Sequence, residues 1–142
     1  MKVEDLMIGD WIRLKDDSLS YEESCMKITF LSNSTMCSLK HIRTNTPIGL
    51  IQSNENWLCP VFADDIEPIP LTSEILEKNG FGGKKPKVEL ILEDKRELLY
   101  NIYEKVLTIY WNSQIVFRSP CAYVHELQHA LKLCGIEKEI VV

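Results

Sequence analysis

The chain has 142 residues, 45% of them hydrophobic and 26% charged, with 6 Gly and 6 Pro. That composition describes an ordinary globule and excludes collagen, low-complexity disorder and membrane-spanning segments. Sixteen Lys and Arg against 21 Asp and Glu leave a net charge of -5, which gives no overall attraction for the phosphate backbone of duplex nucleic acid.

The N-terminus, MKVEDLMIGDWIRL, places Glu4, Asp5 and the Gly9-Asp10 break before any apolar run builds up. No secretory h-region forms there, so a cytoplasmic location without membrane attachment is expected. Five cysteines (Cys25, Cys37, Cys59, Cys121, Cys134) are an odd number without C-x-x-C spacing, as expected of reduced thiols.

Short β segments are predicted through the first 70 residues. Met26, Ile28 and Phe30 alternate with Lys27 and Thr29, and Asn33-Ser34 would turn the chain into a second strand over Thr35–His41. Trp11–Leu14, Ile48–Gln52 and Trp57–Phe62 complete five strands, which suggest a small β-barrel lobe over residues 1–70. In Ile66-Glu67-Pro68-Ile69-Pro70 each proline removes a ladder donor, so the segment reads as a Pro-rich hinge and lobe boundary.

Residues 71–142 form the second predicted lobe. Thr72 or Ser73 caps a short helix through Lys78, and Gly80 ends it. The run Gly80-Phe81-Gly82-Gly83-Lys84-Lys85 lacks P-loop spacing and reads as a helix stop and connector. Val88, Leu90 and Leu92, then Leu107, Ile109 and Trp111, then Ile115 and Phe117 alternate as an antiparallel meander. Asp94–Val106 is consistent with a helix capped by Asp94 and Glu97 or with a strand, and its aromatic content favours the strand. Pro120 and Gly135 bracket a final amphipathic helix across Ala122–Cys134. The expected class is therefore α+β: a barrel, a hinge with a short helix, and a meander covered by one helix.

Chemistry is concentrated in His125-Glu126-Leu127-Gln128-His129, an H-E-x-x-H sequence. In zinc peptidases two imidazoles at i and i+4 chelate the metal and the glutamate serves as general base, which here would make His125 and His129 ligands and Glu126 the base. The extended motif fails, because Lys132 and Gly135 stand where a glycine and a third histidine are needed. A third ligand would have to come from His41 or Cys121. On a helical wheel His125 and His129 lie opposite the apolar arc of Val124, Leu127, Ala130, Leu131 and Cys134, with Tyr123, so both imidazoles are expected in solvent.

Other constellations are plainer. Asp64, Asp65 and Glu67 have cation-binding chemistry but read as a solvated loop. Trp11, Trp57 and Trp111 have base-stacking chemistry but read as core. Cys121 and His125, one helical turn apart, could form a thiolate–imidazolium pair, yet a buried structural cysteine is the simpler reading. Lys84, Lys85 and Lys87 are the one local attractor for a small anion.

The segments LMIGDWI, IEPIPLTSEILEKNGF and YVHELQHALKLCGIEKEI together resemble a family of small uncharacterised proteins of gut-anaerobe genomes, prophages and other mobile elements. The resemblance spans nearly the whole chain. It implies that Tyr123–Leu131 keeps a Tyr-Val-His-x-Leu-Gln character while the place of His129 varies, which a zinc ligand's place would not. Ile8-Gly9-Asp10-Trp11-Ile12 also resembles YopX-like phage proteins, implying a strand that opens an SH3-like barrel. These readings converge on a non-enzymatic binding or adaptor protein for a protein partner or a small anionic ligand. The alternative is a zinc-dependent, peptidase-like hydrolase using His125, Glu126 and His129.

Overall fold

A computed structural model describes residues 5–31, 49–52, 58–61 and 65–142. The chain is α+β, mostly strands in two antiparallel sheets, and divides into two compact units, Met1–Ile69 and Pro70–Val142. Among the described residues no helix is long and apolar enough to cross a membrane. The expected strand Thr35–His41, together with Trp57, Cys37, His41 and Asp64, lies outside the described residues.

In the first unit β1 (Trp11–Leu14) is followed by a single helical turn, α1 (Tyr21–Ser24), and by β2 (Cys25–Leu31). Then come β3 (Gly49–Gln52), β4 (Leu58–Val61) and β5 (Ile66–Pro68), in the sheet order β4-β3-β2-β1-β5. The Gly-Asp turn is built into this sheet. Gly9 takes φ +92°, its N–H donates to Ile28 O at 2.7 Å, and the Asp10 carboxylate accepts from Met7 N–H at 2.7 Å. Ile12, Met26, Ile28 and Ile66 are fully buried and cluster with Leu6, with Leu14 and Leu19 packed against them.

The expected barrel is corrected to an open sheet. Closure would require β4 to pair with β5, and each carries a proline, Pro60 and Pro68, that offers no N–H. The Pro-rich segment also does more than turn the chain, because Ile66–Pro68 pairs with β1 as an edge strand, the place where a sheet tolerates proline. Glu67 lies opposite Arg13 and pairs with it at 2.9 Å, and Asp65 O accepts from Lys15 N–H. Glu67 thus faces a cation of this chain across the β1–β5 pair. Trp11 is half-buried beneath the Lys27 ammonium, 5.0 Å from the ring centre.

The second unit opens with α2 (Ser73–Lys78), whose N-cap Thr72 accepts from Ile75 N–H at 3.3 Å. Gly80 follows at φ +90°, a conformation open to glycine, and Phe81 N–H donates back to Leu76 O. Asn79 is buried at this helix end. Its amide donates to Ile75 O at 2.7 Å and Val141 O at 2.8 Å, and its Oδ1 accepts from Val141 N–H at 2.9 Å. That clasp ties the residues after the last helix to α2.

The meander is β6 (Lys87–Ile91), β7 (Glu97–Asn101), β8 (Val106–Trp111) and β9 (Gln114–Pro120), in that spatial order. Asp94 does not cap a helix. It accepts from Arg96 N–H at 3.1 Å in the β6–β7 turn, where Lys95 has φ +67°. Asn112 and Ser113, both at positive φ, make the two-residue turn between β8 and β9, as the strand twist demands. The register sets Leu98 beside Leu90 and Ile109, and Tyr100 beside Val88 and Leu107, so one face carries the buried apolar rows.

The last helix, α3 (Val124–Leu133), is fastened at both ends to residues of that same face. Tyr100 Oη donates to Cys121 O at 2.7 Å ahead of the helix, and Arg96 Nη1 donates to Cys134 O at 2.5 Å behind it. A cation there also complements the partial negative charge of the helix C-terminus. Arg96 lies over Trp111, 5.6 Å from the ring centre, and Trp111 is half exposed at the sheet end rather than in the core.

Candidate functional site

The H-E-x-x-H sequence occupies the first two turns of α3. As the wheel predicts, Val124, Leu127, Ala130 and Leu131 are buried, whereas Tyr123 is exposed and Cys134 half-buried. His125 departs from it and is buried as well, at 6% exposure. A wheel assumes that a helix is packed on one side, whereas here the phenol of Tyr123 stacks on the His125 ring (centroids 5.9 Å, planes 13° apart). The half-buried ring of His129 meets His125 edge-on at 5.6 Å. Pro70 bridges to Tyr123 and Leu71 N–H donates to Ala122 O, so an additional strand-like segment lies along the entry to this turn.

Glu126 has a structural task. It is the third helical residue, and its Oε2 accepts from Ala122 N–H at 2.6 Å and from Tyr123 N–H at 3.1 Å. Both donors precede the helix and have no partner within it, so the carboxylate closes the N-terminus as in a capping box. A carboxylate so placed also complements the positive end of the helix dipole. Replacing Glu126 with Ala is expected to destabilise the protein by about 0.5–2 kcal/mol, with Glu126→Gln losing less because it keeps an acceptor oxygen. Urea unfolding of the two variants beside the parent checks this.

Cys121 lies just ahead of the helix and is buried. Burial, with the nearby Glu126 carboxylate, pushes its thiol pKa up to about 12, so it is a neutral thiol at physiological pH. A thiolate–imidazolium pair with His125 does not fit that environment. Tyr100, next to it, is likewise pushed up to about 12, chiefly by burial and then by Cys121 and Glu126. The carboxylate that a zinc peptidase would use as its base is thus engaged, through Oε2, by two backbone donors. Among the described residues no three His, Cys, Asp or Glu side chains come together as a metal-binding group. His41, the other candidate ligand, is outside the described residues.

Lys84, Lys85 and Lys87 are all exposed, the first two in the connector between α2 and β6 and Lys87 at the first position of β6. Lys85 lies close enough to Glu74 to help hold its carboxyl below the ordinary range, after Glu74's own backbone N–H and the Thr72 hydroxyl. The basic cluster is thus partly balanced by an acid. Gly82 does not cradle a phosphate: its N–H donates to Glu89 O at 2.9 Å, and its O accepts from Glu89 N–H at 2.8 Å.

Sequence reasoning missed the meander's outer strand as a surface. Along β9, Ile115 is 54% and Val116 51% exposed, and Gln114 and Arg118 are exposed beside them. One signal could have found it. Between Val106 and Val124 the only formal charge is Arg118, in a chain where charged residues make up 26%. Comparison with protein-family models, with curated proteins and with solved structures gives no match.

Proposed function

We propose that this protein works by binding rather than by catalysis, as an adaptor whose ligand is another protein, in keeping with the mobile-element family that its sequence resembles. The observation that carries this reading is the Glu126 carboxylate. Its double engagement with Ala122 and Tyr123 N–H explains why a glutamate follows His125 without any general base being needed. A protein ligand is favoured over a small anion because the three lysines are exposed side chains with an acid, Glu74, nearby, whereas β9 offers exposed apolar side chains at a sheet edge.

Metal analysis tests the proposal. Protein purified without a histidine tag, saturated with zinc and then dialysed, is expected to retain no stoichiometric metal, and His129→Ala is expected to shift stability by no more than about 0.5–1 kcal/mol. His125 differs, since a buried ring cannot be removed so cheaply. Stoichiometric zinc that survives dialysis and is lost in a folded His129→Ala variant would overturn the proposal in favour of the zinc-dependent reading.

A further inference from the structure

We propose that residues 137–142 are a displaceable strap, filling in cis a site at the end of α2 that also takes an extended segment of the protein partner. The proposal rests on the binding reading above and adds what the partner presents. The fastening of α3 stops just short of this strap. Arg96 donates to Cys134 O and Gly135 O, Gly135 turns the chain at φ +65°, and Ile136 N–H returns to Leu131 O. Residues 137–142 have no helix or strand of their own. Ile140 is buried, whereas Glu137, Glu139 and Val141 are exposed.

Asn79 is the receptor for the strap. Its carboxamide donates to Val141 O and accepts from Val141 N–H, the pair of bonds that a neighbouring strand would make. Both bonds read main chain and the Val141 side chain stays exposed, so the clamp does not depend on which residue stands there. Nδ2 also donates to Ile75 O, a bond within the end of α2 that keeps the carboxamide in this orientation when the strap leaves. A preorganised main-chain clamp beside a buried seat for one apolar side chain has both parts of extended-peptide recognition, affinity from the first and register from the second. The cis occupant defines the ligand. It is an extended segment with an isoleucine-like residue followed directly by one that offers both its N–H and its C=O. A tethered strap competes at an effective concentration on the order of millimolar. Apparent affinity for a partner therefore scales with the fraction of molecules whose site is open, and loosening the strap raises it.

Fluorescence anisotropy of the full chain with a labelled synthetic peptide, EKEIVV, the sequence of residues 137–142, reads the site directly. Val141→Pro removes the N–H that donates to Asn79 and is expected to bind the peptide at least about tenfold more tightly than the parent does. The same peptide carrying Ile140→Asp is expected to bind neither protein. Ile140→Ala in the chain, which truncates the anchor and keeps the main chain, serves as the second variant if Val141→Pro melts early. Native-state hydrogen exchange of the parent is the companion measurement. Val141 N–H is expected to exchange at least about tenfold faster than Leu127 and Leu131 N–H, because the strap opens while α3 stays formed. Peptide binding no tighter in a folded strap variant than in the parent, or one common exchange rate for all three groups, would overturn the proposal. Either failure leaves the non-enzymatic reading standing, since that reading fails on bound zinc.

Discussion

Leu131→Ala is expected to cost about 2–5 kcal/mol, a large fraction of the roughly 5–15 kcal/mol by which an ordinary domain is stable. Leu131 and Leu127 are 2% and 1% exposed and lie on the apolar arc of α3, whose two ends are bonded to Tyr100 and Arg96 of the sheet. Because both ends are held, the helix cannot slide inward to fill the space that a truncated side chain leaves. The cavity term therefore adds to the lost transfer energy. Denaturant unfolding is the measurement. A loss below about 1 kcal/mol would mean that the helix settles by another face.

Stability is expected to fall steeply in alkali, and the Cys121–Tyr100 pair is the reason. Their ordinary values are 9.0 and 10.0, and both are pushed up to about 12 in the fold. Well below the ordinary thiol value of 9.0 both groups are protonated whether the chain is folded or not, so the full stability is present. Between about pH 9 and pH 12 the unfolded chain releases protons that the folded chain retains, and the equilibrium shifts toward unfolding. Cys121→Ala should flatten that decline without moving the neutral-pH plateau far. Tyr100→Phe should flatten it too, but with a neutral-pH loss of about 1–3 kcal/mol, because Cys121 O loses its buried donor. Circular dichroism melts across the alkaline range distinguish the three proteins, and parallel curves would remove the pair from the account.

The parts of the fold that could be read in advance are those set by local periodicity. Two-residue alternation placed β2 and the meander strands β6, β8 and β9, and the Thr72 cap with Gly80 delimited α2, because each signal lies within a few residues of the structure it specifies. Barrel closure could not be read in the same way. It depends on whether β4 meets β5, and the two prolines that argue against it are separated in sequence by the strand itself and a connection.

The H-E-x-x-H sequence shows a different obstacle. Glu126 satisfies the spacing of a metallopeptidase base and that of a capping-box glutamate equally well. Tyr123 at the N-cap, in place of the usual Ser or Thr, conceals the second meaning. The burial of His125 was equally hidden, since a wheel carries no information about a ring folding back from the residue before the helix.

The Asn79 clasp sets a chemical clock. Asn79 precedes Gly80, and an Asn-Gly pair in a mobile chain is prone to deamidation, in which the glycine nitrogen attacks the side-chain carbonyl carbon. In the folded unit the carboxamide is held by Ile75 O, Val141 O and Val141 N–H, and the Gly80 N–H is engaged with Glu77 O. Attack requires those bonds to be surrendered together. Once an excursion out of the fold has allowed it, the product carboxylate faces two carbonyl oxygens with no hydrogen to offer them. Each such event is therefore recorded irreversibly. The fraction of molecules carrying an acid at position 79 becomes a measure of how long the population has spent open.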